Sequence, residues 1–142
     1  MATMPHRRRA REVAVQAIYL LDLHPEQSPA FVSRFLAGRL HGATLVAFAQ
    51  SLVDGVVAHR EEIDAALDAA AERWRVSRMA ATDRAILRIA TEELLHTAVP
   101  GPVAIDEAIE LARRYGSADS PRFVAGVLGR LLADRTGAPA PA

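Results

Sequence analysis

Between Thr44 and Arg75 the chain has no proline and a single glycine, Gly55. Apolar residues recur there at three- and four-residue intervals, the period of an α-helix. One straight helix over this span would be roughly 48 Å long at ~1.5 Å rise per residue. That is too long for a compact domain within 142 residues, so a break is expected near His59–Glu62. Nowhere in the chain do apolar and polar residues alternate long enough to make a strand. Helices with one apolar face bury it against other helices, so the constraint points to an all-α bundle.

Start and stop signals divide the rest. Residues ~6–23 form one helix, closed by Pro25. Ser28-Pro29 reads as an N-cap and first helical position, opening a helix to about Leu40 that His41-Gly42 ends. Thr82 is placed to cap a helix running to about His96. Pro100, Gly101 and Pro102 make a loop, and the helix after it ends at Gly116, read as a C′ glycine. Ser120-Pro121 repeats the earlier start signal for a last helix to about Asp134. The expected fold is a compact bundle of about seven helices in one domain, residues 1–135. Residues 136–142, TGAPAPA, read as a disordered tail. Ile86, Leu87, Ile89, Ala90 and Leu94 should line one buried face, and Val124, Val127, Leu128 and Leu131 another. Trp74 is expected in the core or at its edge.

Composition removes several function classes. The chain has no cysteine, which excludes disulfides, thiolate nucleophiles and cysteine-bound zinc. No apolar run approaches the ~20 residues of a membrane span, and a cytoplasmic protein is expected. None of the histidines, His6, His24, His41, His59 and His96, pairs with another at i, i+4, and there is no HExxH motif. No Gly-rich phosphate loop, G-x-S-x-G or S-x-x-K occurs. Glu61/Glu62 and Glu92/Glu93 are consecutive pairs that point apart on a helix and read as solvated faces. Spacing therefore suggests no catalytic residue, no metal site and no cofactor, and a hydrolase or transferase is the least favoured class.

The opening segment is the most informative. RRRAREVAVQAIY, residues 7–19, holds Arg7, Arg8, Arg9 and Arg11 before an apolar stretch. Residues 1–11 carry these four arginines and no acid. The remainder carries 13 arginines against 17 acids, a sum of −4. Such a charge dipole steers a polyanion to one end. An export signal also starts with cations before an apolar run, but Glu12, Gln16 and the missing small-x-small cleavage site oppose that reading. On a helix, Ala10, Val13, Ala14, Ala17, Ile18 and Leu21 share one core face. Arg8, Arg11, Val15 and Tyr19 align on a second stripe, with Leu23 near its end. That stripe fits phosphate contact at the arginines and stacking or partner packing further along. It fits equally a Tyr19 packed under a neighbour beside merely solvated arginines. Arginines at a helix start also oppose the macrodipole, at ~0.3–1 kcal/mol each when exposed, a cost that a bound polyanion would relieve. On the last helix Arg122, Gly126 and Gly129 share a flat face open to close approach, by a helix or by a ligand backbone. Phe123 lies beside it, and the free N–H groups of that helix start can receive an anion.

RRRAREVAVQAIY, LVDGVV, DRAILRIATEELL and VPGPVAIDEAIELARRYGSADSPRFVAGVL occur in this order. Together they resemble the NusB family of bacterial transcription antitermination factors, over about residues 7–132. The resemblance implies an all-helical fold of two packed helical subdomains. It implies binding to boxA-type RNA together with the ribosomal protein NusE, within an RNA polymerase antitermination complex that supports ribosomal RNA synthesis. By position it implies RNA contacts by Arg7, Arg8, Arg11 and Phe123, and places Tyr19 and Asp83 on the NusE-facing surface. The family pattern FVNGVLD reads FVAGVLG here, YEL reads EEL, and INEA reads IDEA. Ala125, Gly129, Glu92 and Asp106 are therefore departures. The same helical module occurs fused to ribosomal RNA methyltransferases, and the 142 residues leave no room for that catalytic domain. From the residues alone Arg122 joins the RNA-binding set, and Val15 and Leu23 join the partner-binding set. A scaffold or homodimer that masks the RNA face is the alternative.

Overall fold

The computed structural model describes the backbone of residues 4–137 and the side chains of residues 6–137. Among these residues there are seven α-helices and no strand. They are α1 (Met4–Leu23), α2 (Pro29–Arg39), α3 (Ala43–Ala58), α4 (Arg60–Ala70), α5 (Ala81–His96), α6 (Gly101–Tyr115) and α7 (Ser120–Thr136), with one 3-10 turn at Val76–Arg78. No described helix is long and apolar enough to cross a membrane.

The long proline-free stretch breaks at His59, as its length requires. His59 serves both helices: its N–H donates to the Gly55 carbonyl and its carbonyl accepts from the Ile63 N–H, both at 2.9 Å. Ser28 caps α2 by accepting the Phe31 N–H at 3.2 Å, with Pro29 in the first turn. The N-terminal group α1–α3 and the C-terminal group α4–α7 meet at α5, which packs on α1, α3, α4, α6 and α7. This explains why α5 is buried on every side from Ala85 to Leu94. Its apolar positions and those of α7 form the core as their spacing suggests.

Several local expectations need correction. Trp74 is 55% exposed. It lies in the turn beyond α4, where Val76 takes the buried place and its N–H donates to the Asp68 carboxylate at 2.8 Å. Thr82 does not cap α5, because that helix already starts at Ala81 with no side-chain cap. Arg84 organises this start instead, donating to the Val76 and Met79 carbonyls at 3.1 and 2.9 Å. The Pro100–Pro102 segment is loop only at Pro100, since α6 begins at Gly101 with a proline in its first turn. Ser120 is not the N-cap of α7 but a buried residue of its first turn, behind Asp119. Its hydroxyl accepts the Ser117 N–H at 2.9 Å. Glu92 and Glu93 are buried, not solvated, because α5 has no outer face at that level. Of the expected tail, Thr136 still belongs to α7 and Gly137 ends it at φ 74°, while residues 138–142 lie outside the described residues.

Gly116 ends α6 for a reason other than a left-handed turn: its backbone is extended, at φ −91° and ψ −172°. A Cβ there would lie 2.4 Å from the Ser120 Cβ. Gly126 is the opposite case, since a Cβ on it meets nothing within 4 Å. Gly116→Ala should therefore destabilise the protein by ~1–3 kcal/mol through overpacking of the α6–α7 turn. Gly126→Ala should stabilise it by up to about 1 kcal/mol through helix propensity. Urea denaturation of the two variants checks this opposition of sign.

Candidate nucleic-acid interface

The four N-terminal arginines lie on α1, and the fold gives each a different fate. Arg11 is fully buried. Its Nε and Nη2 grip the Glu93 carboxylate of α5, at 2.8 Å to Oε1 and 2.9 Å to Oε2, with both side chains at most 3% exposed. Its guanidinium also lies 5.3 Å from the Phe48 ring centre of α3. Val15, expected on the same outward stripe, is only 6% exposed. The stripe assumed one buried face on α1, but this helix packs on α2, α3 and α5, so residues 10–15 are buried on all sides. Arg11 is thus a structural anchor and not an open contact for RNA.

Arg7 and Arg8 remain near the surface. Arg7 is half-buried, with its guanidinium 4.8 Å from the Phe48 ring centre, a cation–π contact. Arg8 is 46% exposed, yet its Nε and Nη2 bind the buried Glu107 carboxylate of α6 at 2.8 and 3.1 Å. Its pKa is raised by that hydrogen bond and the accompanying charge attraction, so it stays cationic. This fork uses Nε and Nη2 and leaves Nη1 of Arg8 outside the pair with Glu107. Arg9 pairs with Glu12, and the same buried Glu12 takes Arg114 of α6 at 3.1 Å. The neighbouring Tyr115 hydroxyl has its pKa raised, first by burial and then by its hydrogen bond to Glu12. The cost of placing cations at this helix start is therefore met by the protein's own carboxylates. Arg7, Arg8, Arg9, Arg11 and Arg114 against Glu12, Glu93 and Glu107 still sum to +2 (five cations less three anions).

Arg122 and Phe123 sit in the first turn of α7. Arg122 is exposed and makes no ion pair among the described residues, while Phe123 is half-buried against the core. Their helix packs on α6, which holds Glu107. Further along α1, Tyr19 is half-buried and lines an open groove of about 520 Å³ with Arg9, Glu12, Phe35, Arg39 and Tyr115. Val15 and Thr82 also line the groove. Leu23 is 49% exposed beyond the groove. Asp83 departs from expectation: it is buried, and its Oδ1 has no hydrogen-bond partner.

Spacing could not reveal Phe48, Glu93 or Glu107 as members of this arrangement. Phe48 reads as one more apolar residue of α3, and Glu93 and Glu107 meet Arg11 and Arg8 only through tertiary packing. Glu12 had a local signal, its i, i+3 spacing from Arg9 on α1.

A sequence profile described as the NusB family matches residues 8–133. The chain belongs to the NusB family. The transcription antitermination protein NusB of Symbiobacterium thermophilum is 42% identical, over 93% of this chain and 92% of that protein. NusB of Anaeromyxobacter dehalogenans strain 2CP-1 is 44% identical, over 88% of this chain and 89% of that protein. A T. maritima NusB structure superposes with TM-score 0.82 at 31% identity, covering 99% of this chain and 96% of that one. The antitermination factors NusB and NusE in complex with dsRNA give TM-score 0.82 at 25% identity, covering 93% of this chain and 99% of that one. NusB proteins are antitermination factors and not enzymes.

The ion pair assigns Arg11 a measurable role. Arg11→Ala leaves Glu93 charged and buried without a partner, and should cost ~3–5 kcal/mol. Replacing the pair together, Arg11→Met with Glu93→Leu, should recover most of that loss. Thermal and urea unfolding of the single and double variants measure it.

Proposed function

We propose that this chain binds boxA-type single-stranded RNA jointly with ribosomal protein NusE. It does so in the cytoplasm, as part of the RNA polymerase antitermination complex that supports ribosomal RNA transcription. The observation that carries the RNA reading is the row of guanidinium groups on α1. Arg8 is held in a fixed orientation by Glu107 while much of it faces solvent. A cation fixed in this way loses less side-chain freedom on meeting a phosphate, and arginine can still offer its remaining N–H groups. Arg7 and Arg122 supply further cations, and Phe123 an aromatic surface for an unstacked base. Arg11 supports this row from below.

The groove beside Tyr19 is the proposed protein-binding surface. It runs along the same helix from Arg9 to Leu20, and its Phe35, Tyr19 and Tyr115 walls suit an apolar anchor. Leu23 extends this surface. The solved NusB and NusE complex contains dsRNA, so duplex and single strand are compared in the test. The second reading is a homodimer formed through the same groove, favoured by its aromatic walls.

RNA titration over a range of salt concentrations tests the proposal. A boxA-like single strand should bind more tightly than a scrambled strand or a duplex, and NusE should strengthen the preference. The Arg7→Gln, Arg8→Gln, Arg122→Gln variant should flatten the dependence of log K on log salt by up to about 2, at roughly 0.7 per lost phosphate contact. An unchanged affinity and slope in a folded variant would remove these arginines from the interface. Tyr19→Arg should weaken NusE binding by at least about tenfold, as for an interface hot spot. A tight dimer in sedimentation that excludes RNA would instead establish the second reading.

A further inference from the structure

Away from the arginine row, the fold assembles a cluster that no sequence spacing announces. His59 sits at the α3–α4 junction, and Glu92 and His96 are one turn apart on α5. His59 Nδ1 lies 2.8 Å from Glu92 Oε1. The His59 and His96 rings stack with centroids 3.7 Å apart and planes 18° from parallel. His96 Nε2 lies 2.6 Å from Glu62 Oε1, on the first turn of α4. One ligand atom from each of His59, Glu92 and His96 falls within 4.8 Å of the others.

We propose that His59, Glu92 and His96 form a binding site for a divalent transition-metal ion of the zinc class, with Glu62 or water completing the shell. Two imidazoles and a carboxylate are a donor set that suits Zn²⁺ and not Mg²⁺ or Ca²⁺, which take oxygen ligands. Zinc bonds of about 2.0–2.2 Å place neighbouring ligand atoms roughly 3.4 Å apart in a tetrahedron. In the cluster His59 Nδ1 and Glu92 Oε1 are closer than that, at 2.8 Å, and all three ligand atoms lie within 4.8 Å, differences that side-chain rotation can close. His59 and His96 are both partly exposed, so their rings can turn toward solvent when a metal bond replaces their hydrogen bonds to Glu92 and Glu62. Glu92 is the fixed member. It is buried, and its carboxylate lies where a side chain on residue 55 would be: a Cβ on Gly55 would come 2.2 Å from Glu92 Oε2. The absence of a side chain at Gly55 thus makes the space in which Glu92 presents its oxygens to both histidines. A bound ion would tie the α3–α4 junction to the central helix.

Titration of the untagged full chain with Zn²⁺ by calorimetry, and with Co²⁺ by visible absorption, tests this. One ion should bind per chain, produce a Co²⁺ d–d spectrum and raise the thermal transition of the protein. His96→Asn, at an exposed helix end, should keep the native circular dichroism and weaken binding at least about tenfold. Glu92→Gln should do the same by removing the anionic ligand. His24→Asn, outside the cluster, should leave binding unchanged, and excess Mg²⁺ should not displace the ion. No binding by the native chain would overturn the proposal. So would equal binding by native protein and the folded His59→Asn, His96→Asn variant.

Discussion

The buried ion pair between Arg11 and Glu93 decides how α1 lies against α5. Its two side chains are almost wholly withdrawn from solvent. Withdrawing two charges from water is expensive, and their attraction offsets it only when the geometry is good. Here the guanidinium fork meets both carboxylate oxygens, and the face of Phe48 covers the group. A helix rotated or slid by one residue would leave both charges buried and unpaired. The pair therefore specifies register more than it adds stability. Arg7 and Arg8 share that side of α1 but lie one turn nearer its start, where they are only partly covered.

The same packing arms the surface. α6 brings Glu107 under Arg8, and α1 itself brings Glu12 under Arg9 and Arg114. These carboxylates are buried while their arginines are not, so each acid acts as a fixed post that holds a mobile cation in place. They lower the local charge without abolishing it. A partly neutralised, oriented row differs from a loose basic patch: attraction to a polyanion is moderate, and geometry contributes a larger share of recognition. The groove beyond Arg9 continues along α1. One helix thus carries a cationic end and an aromatic-walled flank, fitting one nucleic-acid partner and one protein partner.

The helical class, the break at His59 and the stripes of α5 and α7 were legible because each depends on local spacing. What spacing could not show is how many neighbours a helix has. α1 was read with one buried face and has several, so Val15 and Arg11 moved inside. Asp83 and the Glu92/Glu93 pair moved inside for the same reason, on a helix surrounded by five others. Trp74 moved outside because its apolar character, not its place in a turn, guided the expectation. The arginines of the candidate site were visible as charges in a row. Their division into anchor and contact depends on Glu93, Glu107 and Phe48, which lie on other helices and enter only through tertiary packing.

That division is tested most directly by following the arginine side-chain Nε–H resonances while single-stranded boxA-like RNA is added. The Arg7 and Arg8 signals should shift as binding saturates. The Arg11 signal should stay in place, still hydrogen-bonded to Glu93 and protected from exchange. Movement of the Arg11 signal on the same binding curve, or Arg7 and Arg8 signals that RNA leaves untouched, would contradict the assignment of anchor and contact made here.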